Sequence, residues 1–266
     1  MFSGITDWIN DLMADPSGTL ITLAYVAVCI LFSLILHECA HGWVAWKCGD
    51  PTAKMLGRLT LNPMKHLDPF GTICMVFLRV GWAKPVPINP RNFRNYRRDY
   101  ILVSLAGIIT NLLLCIASMI ISALLCKIIY NPDYLVYLRK IGMQNNLLDL
   151  YHMDRPAFIY HGYFSVVGNV QKEFEWVMYI QRFFLMLAQM NLGLAVFNLL
   201  PVPPLDGYRF LDMFVFKGKL AMERSMMNTI QIIFLVVCMS GILSDFLSIV
   251  NSAVFGFFSN IIAIII

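Results

Sequence analysis

Two histidines and a glutamate stand close together at the end of a long apolar run. His37 and His41 are four residues apart in the stretch LILHECAHGW, and Glu38 lies between them. On a helix this spacing places both imidazoles on one face, about 6 Å apart along the axis. Two imidazoles so arranged can bind one zinc ion, and Glu38 then falls beside the metal, where it can take a proton from water. The pattern predicts that His37 and His41 are metal ligands and that Glu38 is a general base.

The spacing H-E-x-x-H is typical of zinc peptidases. The alternative is a polar cluster that forms hydrogen bonds between helices. The eighteen residues before His37, Thr19 to Leu36, carry no charge, and an ionised glutamate near a bilayer centre costs about 2.5–3.5 kcal/mol on insertion scales. Such residues usually mark a site or a cavity, which favours zinc over the alternative.

A catalytic zinc needs a third protein ligand and one open position. The candidate is Asp206, in the stretch FNLLPVPPLDGYR, which directly follows a later apolar run. The three prolines of this stretch cannot continue a regular helix, and Gly207 allows a tight turn after the aspartate. An unwound stretch at membrane depth is tolerated where it lines a site. The alternative is an ordinary helix-ending loop with a solvated aspartate.

The composition describes the elements that must position these residues. Of the 266 residues 59% are apolar and 14% are charged, with a mean hydropathy of +0.68, whereas soluble domains carry roughly 25% charged residues. The uncharged runs are far longer than the strands of a membrane barrel. We therefore predict an all-α polytopic membrane protein with about four or five transmembrane helices. The predicted spans are residues 19–46, 100–126, 183–200, 225–243 and, as a candidate fifth, 246–266.

Two polar segments separate the first three predicted spans. Residues 47–98 are rich in Gly, Pro and Asn, and within them we expect a short re-entrant or β-like segment at about 72–88, shielded from lipid by protein. Residues 131–175 form a second polar insert. The whole chain, 1–266, is expected to be a single membrane-embedded domain.

Lysine and arginine are concentrated in two loops. Ten of the twenty lie in residues 47–98, and four more lie in residues 204–224. The positive-inside rule then predicts that both loops are cytoplasmic and that the N-terminus and the 131–175 insert are external. This orientation places His41 and Asp206 toward the cytoplasmic side of a cell membrane. We expect the basic loops to set topology without binding a ligand.

Two complete motifs carry a resemblance to a known family. His37-Glu38-Cys39-Ala40-His41 and Asn198-x-x-Pro201-x-Pro203-x-Leu205-Asp206-Gly207 together resemble the site-2 protease family of intramembrane zinc metalloproteases. The resemblance extends from about residue 20 to 240. The stretches LNPMKHLDPFG and GWAKPVPINPRNFRN are similar to the compact bacterial branch that lacks a PDZ domain.

The resemblance implies a function and a set of residues. His37, His41 and Asp206 would bind one zinc ion per chain, and Glu38 would be the general base. Asn198, Pro201, Pro203 and Gly207 would support the third ligand. The substrate would be a membrane-spanning protein, cut in regulated intramembrane proteolysis within a bacterial plasma membrane.

The family's second membrane helix carries a Gly-Pro-x-x-Asn element, which here reads Gly107-Ile108-Ile109-Thr110-Asn111. The proline is replaced by Ile108, but Asn111 is present. The resemblance implies that its amide holds a substrate carbonyl or stabilises an oxyanion. A plain hydrogen bond between helices is the alternative.

Two non-proteolytic functions remain as alternatives. A metal carrier would need polar residues along several spans, but the predicted spans two and four contain few and no carboxylate. An inactive homologue that binds membrane segments would be expected to have lost Glu38 or a ligand, and none is missing. Nothing in the sequence indicates nucleic-acid binding, and it leaves the oligomeric state open.

Overall fold

A computed structural model of the protein describes residues 13–68, 71, 83–129, 175–220, 223–240 and 242–262. Within these residues the regular structure is helical, and a single antiparallel bridge joins Leu67 to Ala83. The α-helices, in chain order, are α1 (Pro16–Lys47), α2 (Thr52–Met55), α3 (Tyr96–Ile129), α4 (Glu175–Leu199), α5 (Asp206–Phe214), α6 (Arg224–Ser240) and α7 (Ile242–Ile262). Short 3₁₀ turns occupy Pro63–Lys65 and Pro90–Asn92.

Within the residues that the structure describes, three helices are long and apolar enough to cross a membrane. They are Pro16–Lys47, Tyr96–Leu125 and Trp176–Leu199, and they coincide with the first three predicted spans. Shorter apolar stretches, Ser225–Cys238 and Phe246–Phe258, lie in α6 and α7, where the other two spans are predicted. The fold class of an all-α polytopic membrane protein is confirmed.

Side-chain caps define where the first two long helices begin. Asp15 precedes α1, and its carboxylate accepts hydrogen bonds from the Gly18 N–H and the Ser17 hydroxyl. Asn95 precedes α3 and accepts from the Arg98 N–H, while Asp99 reaches back to accept from the Asn95 N–H. These bonds satisfy backbone donors that the first turn of a helix leaves free.

The third long helix begins at Glu175 rather than near residue 183, where the apolar run predicts its start. The difference comes from Arg182, whose charge interrupts the apolar run. The Arg182 guanidinium donates to the Thr22 hydroxyl at 3.2 Å and lies over the ring of Tyr25. A charged group with such partners can lie inside a membrane-facing helix.

The chain packs as two compact units, each built from separate parts of the sequence. One comprises residues 31–113 and 192–250, and its core includes Ala45, Phe93 and Val103. The other comprises residues 2–30, 114–191 and 251–266, and its core includes Cys29 and Met186. That residues 1–266 form a single domain stays a prediction.

The two polar segments are described only in part. In the predicted β-like segment, residues 72–82 lie outside the described residues. Residues 83–89 are non-helical, and the Lys84 N–H donates to the His66 carbonyl at 2.8 Å beside the bridge. The predicted insert 131–175 lies outside the described residues except for Glu175, which opens α4.

Candidate metal centre

Helix α1 carries both histidines on one buried face. His37 and His41 are 5% and 6% exposed. Their rings meet edge to face, with centroids 4.6 Å apart, and their Nε2 atoms are 3.0 Å apart. The helical spacing of four residues thus brings the two imidazoles together as expected.

The third residue of the cluster is supplied by the break between α4 and α5. Helix α4 ends at Leu199, directly before the prolines, and α5 starts at Asp206. A side chain at Gly207 would collide with the backbone carbonyls of Leu199 and Leu200, so glycine allows the first turn of α5 to lie against the end of α4. The Asp206 Oδ2 atom then lies 3.2 Å from His37 Nε2 and 3.0 Å from His41 Nε2.

These three atoms fit the geometry of a bound metal ion. All three side chains are buried, and one ligand atom from each lies within 4.8 Å of the others. A tetrahedral zinc with ligands at 2.0–2.1 Å needs ligand atoms about 3.3 Å apart, close to the separations of 3.0–3.2 Å. Within the described residues Asp206 Oδ2 is buried and makes no hydrogen bond of normal geometry. A cation would supply the partner that this oxygen lacks.

Asp206 is ionised in this environment. Burial tends to raise the pKa of the carboxyl group, but the imidazoles of His37 and His41 lower it by more, and the net pKa is below the ordinary value. The Arg209 guanidinium lies 3.6 Å from the other carboxylate oxygen, Oδ1. A carboxylate oxygen beside two imidazole nitrogens is a donor set that suits zinc.

Helix α3 contacts both imidazoles on the side away from Asp206. The Nδ1 atom of His41 lies 2.7 Å from the Val103 carbonyl oxygen, to which it donates its proton. The side chain of Asn111 lies 3.2 Å from Nδ1 of His37. Between them, Gly107 provides the space for the His37 ring, since a Cβ atom there would overlap it.

Glu38 is half-buried and held by a backbone group. Its Oε2 atom accepts a hydrogen bond from the Val86 N–H at 2.8 Å. This contact connects α1 to the non-helical residues 83–89. It fixes one carboxylate oxygen of Glu38.

Comparison with known proteins identifies the family. The family model described as Peptidase family M50 matches residues 25–240, which is most of the chain. The chain belongs to Peptidase family M50. This is the site-2 protease family that the two motifs resemble.

The names of three relatives of this M50 chain all contain the words "zinc metalloprotease". "Putative zinc metalloprotease YwhC" of Bacillus subtilis (strain 168) is 37% identical over 190 residues, which are 71% of this chain and 68% of the relative. "Putative zinc metalloprotease Rip2" of Mycolicibacterium smegmatis is 27% identical over 207 residues, 74% of this chain and 61% of the relative. The Rip2 protein of Mycobacterium tuberculosis (strain Erdman) is 27% identical over 71% of this chain and 73% of its own length. No solved structure matches the chain significantly.

The supporting residues predicted from the second motif, and two further residues of ligand type, make local contacts in the M50 chain. Asn198 donates its amide to the Leu194 carbonyl of its own helix, and Pro201 and Pro203 form the turn between α4 and α5. His66 is buried, and its Nε2 lies 2.8 Å from the Thr60 carbonyl oxygen. Asp68 accepts from the Gly71 N–H. His66 and Asp68 make local loop contacts.

Three contributors to the site were missed by sequence reasoning. Val86 acts through a backbone N–H, which every residue except proline carries, and Val103 acts through a backbone carbonyl, which every residue carries. Their side chains therefore give no signal. Asp50 is fully buried, and it accepts from the Asn89 N–H at 2.7 Å and from the Asn92 side-chain amide at 2.8 Å. The only sequence signal is its place before Pro51, which is typical of a turn.

Asp50 fixes the position of the segment that reaches Glu38. Arg58 holds the same segment from the other side, donating to the Lys84 carbonyl at 2.9 Å. Burial tends to raise the pKa of Asp50, but hydrogen bonds from Thr52, Asn89 and Asn92 outweigh it and lower the pKa below the usual value. The carboxylate is therefore charged, and it connects the end of α1 to residues 89–92.

Proposed function

We propose that this M50 chain is an intramembrane zinc endopeptidase that hydrolyses peptide bonds of membrane-spanning proteins, in regulated intramembrane proteolysis. One zinc ion per chain is held by His37, His41 and Asp206. The proposal rests chiefly on the convergence of three buried ligand atoms from α1 and α5, 3.0–3.2 Å apart. The names of the relatives, which include "zinc metalloprotease", support the same metal.

His37, His41 and Asp206 would hold the zinc ion, which would polarise a peptide carbonyl and lower the pKa of water when bound. Glu38 takes the proton of the attacking water and later gives it to the leaving nitrogen. The Val86 N–H holds Glu38 Oε2 at 2.8 Å, so the carboxylate does not need to reorient during the transfer. Arg209, beside Asp206 Oδ1, helps to hold the aspartate in place.

The substrate must present an extended peptide to this site. A transmembrane helix keeps its carbonyls in internal hydrogen bonds, so local unwinding has to precede attack. Residues 83–89 are non-helical, and Val86 among them contacts Glu38. A substrate strand beside them would be held open for hydrolysis.

The site is proposed to face the cytoplasmic side of a bacterial plasma membrane. The support is the clustering of fourteen of the twenty lysines and arginines in residues 47–98 and 204–224. In this orientation the N-terminus and residues 131–175 are external, and the chain is a multi-pass protein in the lipid bilayer.

The test compares two substitutions that remove different parts of the chemistry. Glu38→Gln keeps the shape of the side chain but cannot act as a base, so we expect bound zinc to remain and cleavage to fall about 10²–10⁴-fold. Asp206→Asn replaces an anionic ligand by a neutral one, so we expect both bound zinc and cleavage to fall. The measurements are the zinc content of purified protein and the cleavage of a co-expressed membrane protein.

Each substitution has a control of the same chemical type. Asp212→Asn changes another aspartate of α5, whose carboxylate accepts from the Leu220 N–H, and Glu223→Gln changes an exposed glutamate. Both controls should keep zinc and cleavage. Undiminished cleavage by the Glu38→Gln protein would contradict the proposed mechanism, and full zinc content in a His37→Ala/His41→Ala protein would exclude the site.

A further inference from the structure

The face of α3 that meets the imidazoles has one feature that the proposed function does not use. Val103, Gly107 and Asn111 are spaced by four residues, so they lie along one face of the helix. Val103 accepts the Nδ1 proton of His41 at 2.7 Å. That bond fixes the tautomer of His41. Its Nε2 atom is then unprotonated, and the lone pair on Nε2 faces Asp206.

Asn111 occupies the matching position next to His37. It is fully buried, and its side-chain nitrogen, Nδ2, lies 3.2 Å from His37 Nδ1. Its oxygen, Oδ1, has no hydrogen-bond partner among the described residues. With Nδ2 toward the ring, Nδ1 must accept the hydrogen bond and carries no proton. The single proton of the neutral imidazole is then on Nε2, which has no lone pair for a metal.

The two ends of an amide have nearly the same shape, so their assignment follows from the hydrogen bonds they make. Turning the Asn111 amide over places Oδ1 at 3.2 Å from His37 Nδ1. Nδ1 of His37 then donates to Oδ1 of Asn111. Nε2 of His37 is unprotonated, and its lone pair lies beside Nε2 of His41 and Oδ2 of Asp206. This orientation gives both histidines the same tautomer and presents three lone pairs to one point.

We propose that Asn111 is a positioning residue: its Oδ1 accepts the Nδ1 proton of His37 and thereby sets the tautomer in which His37 binds the metal. The inference rests on the proposed zinc site. It differs from the role that the family resemblance implies, in which the amide donates a hydrogen bond to a substrate carbonyl or oxyanion. Partners of this kind behind metal-binding histidines orient the ring and raise its basicity.

Two variants of nearly the same size as asparagine separate these roles. Asn111→Asp keeps an oxygen that can accept from Nδ1, but it has no N–H to donate to an oxyanion. Asn111→Leu keeps the shape and has neither group. A control is Asn191→Leu, which removes another fully buried asparagine, one whose amide donates to the Leu187 carbonyl of its own helix.

The measurement is the zinc dissociation constant of purified protein in detergent, by competition with a chromophoric chelator. We expect Asn111→Leu to weaken zinc binding about 10–100-fold, and Asn111→Asp to stay within a few-fold of the wild type. Asn191→Leu should bind zinc as the wild type does. Thermal unfolding of the metal-free proteins, measured alongside, separates lost affinity from lost fold.

The opposite pattern would overturn the assignment. Wild-type zinc affinity in Asn111→Leu, with reduced cleavage in both Asn111 variants, would make Asn111 an oxyanion donor. The assignment would also be contradicted if Asn111→Asp bound zinc no more tightly than Asn111→Leu. Failure of the proposed function would give a different result from failure of this inference. The wild type would still bind zinc through His37 with Asn111 behind it, but the Glu38→Gln protein would cleave undiminished.

Discussion

At the scale of single residues, the position of His37 depends on the missing side chain of Gly107 in α3 as much as on the contact that Asn111 supplies. The ring lies against Gly107, where a Cβ atom would overlap three of its atoms. The interior around it is closely packed, so an added methyl group would have to be accommodated by movement of the ring. Movement of His37 changes the distance from its Nε2 to Asp206 Oδ2, which is 3.2 Å.

We therefore predict that Gly107→Ala weakens zinc binding and lowers cleavage in parallel. A displacement of about 1 Å of a catalytic group can cost roughly 10²-fold in rate. The matched control is Gly256→Ala in α7, where an added Cβ meets no atom within 4 Å. Zinc affinity and cleavage would be measured for both proteins. Wild-type zinc affinity in the Gly107→Ala protein would contradict this account of how His37 is seated.

At the scale of elements, the segment that holds Glu38 has little regular structure of its own. Residues 83–89 take their position from contacts at both ends, chiefly Arg58 with the Lys84 carbonyl and Asp50 with the Asn89 N–H. Asp50 lies three residues beyond the end of α1, the helix that contains Glu38. It holds the segment whose Val86 N–H donates to Glu38. Stabilisation of this loop therefore supports Glu38, the proposed catalytic base.

This arrangement predicts a dependence of stability on pH. The pKa of Asp50 is lowered in the folded protein, so the ionised carboxylate stabilises the fold fully above its unfolded pKa of about 3.9, and this stabilisation is lost as pH falls through the lowered value. Asp50→Asn should lower stability at pH 7 by about 1–3 kcal/mol, because the Asn89 N–H or the Asn92 amide loses its acceptor. It should also reduce the loss of stability in acid.

Thermal unfolding of the purified protein between pH 6 and pH 3 tests this prediction. Glu223→Gln, at an exposed position, should follow the wild-type curve. An Asp50→Asn protein with the same midpoint and the same acid dependence as the wild type would show that the Asp50 contacts contribute nothing. Cleavage measured at pH 7 should fall with stability, since the same contacts place Val86.

At the scale of the whole molecule, charge and aromatic side chains indicate how the helices cross the membrane. Helix α1 ends with Trp43 and Trp46, and the Lys47 ammonium lies 5.5 and 5.0 Å from their ring centroids. Lys54 lies 3.9 Å from the centroid of Trp46. Tryptophan beside lysine is typical of the membrane–water interface, so this end of α1 is expected at the boundary that faces the basic loops.

Cysteine labelling checks the proposed orientation. In a variant without the seven native cysteines, Asn145→Cys should react with a membrane-impermeant thiol reagent in intact cells. Lys65→Cys and Lys219→Cys, in the two basic loops, should react only after permeabilisation. Lys65 and Lys219 are exposed, so lack of reaction would not arise from burial. Reaction of Asn145→Cys only after permeabilisation would reverse the topology.

The sequence alone determined the helical membrane fold and pointed to His37, His41 and Asp206, whose ligand atoms the structure brings together. Long uncharged runs require helices, because a lipid-exposed backbone must satisfy its own hydrogen bonds. The spacing of His37 and His41 acts within one helix, and Asp206 follows a proline-rich break that also leaves a local signature. Such signals are readable because they depend on residue type and short separation.

The tertiary structure decided how those residues are supported. Val86 and Val103 contribute backbone groups that no residue type identifies, and their partners lie 48 and 62 residues away in the chain. Asp50 acts through contacts made about 40 residues later. Even the start of α4 depended on a distant partner, because Arg182 is accommodated by Thr22. Contacts between segments far apart in the chain arise only when the helices pack.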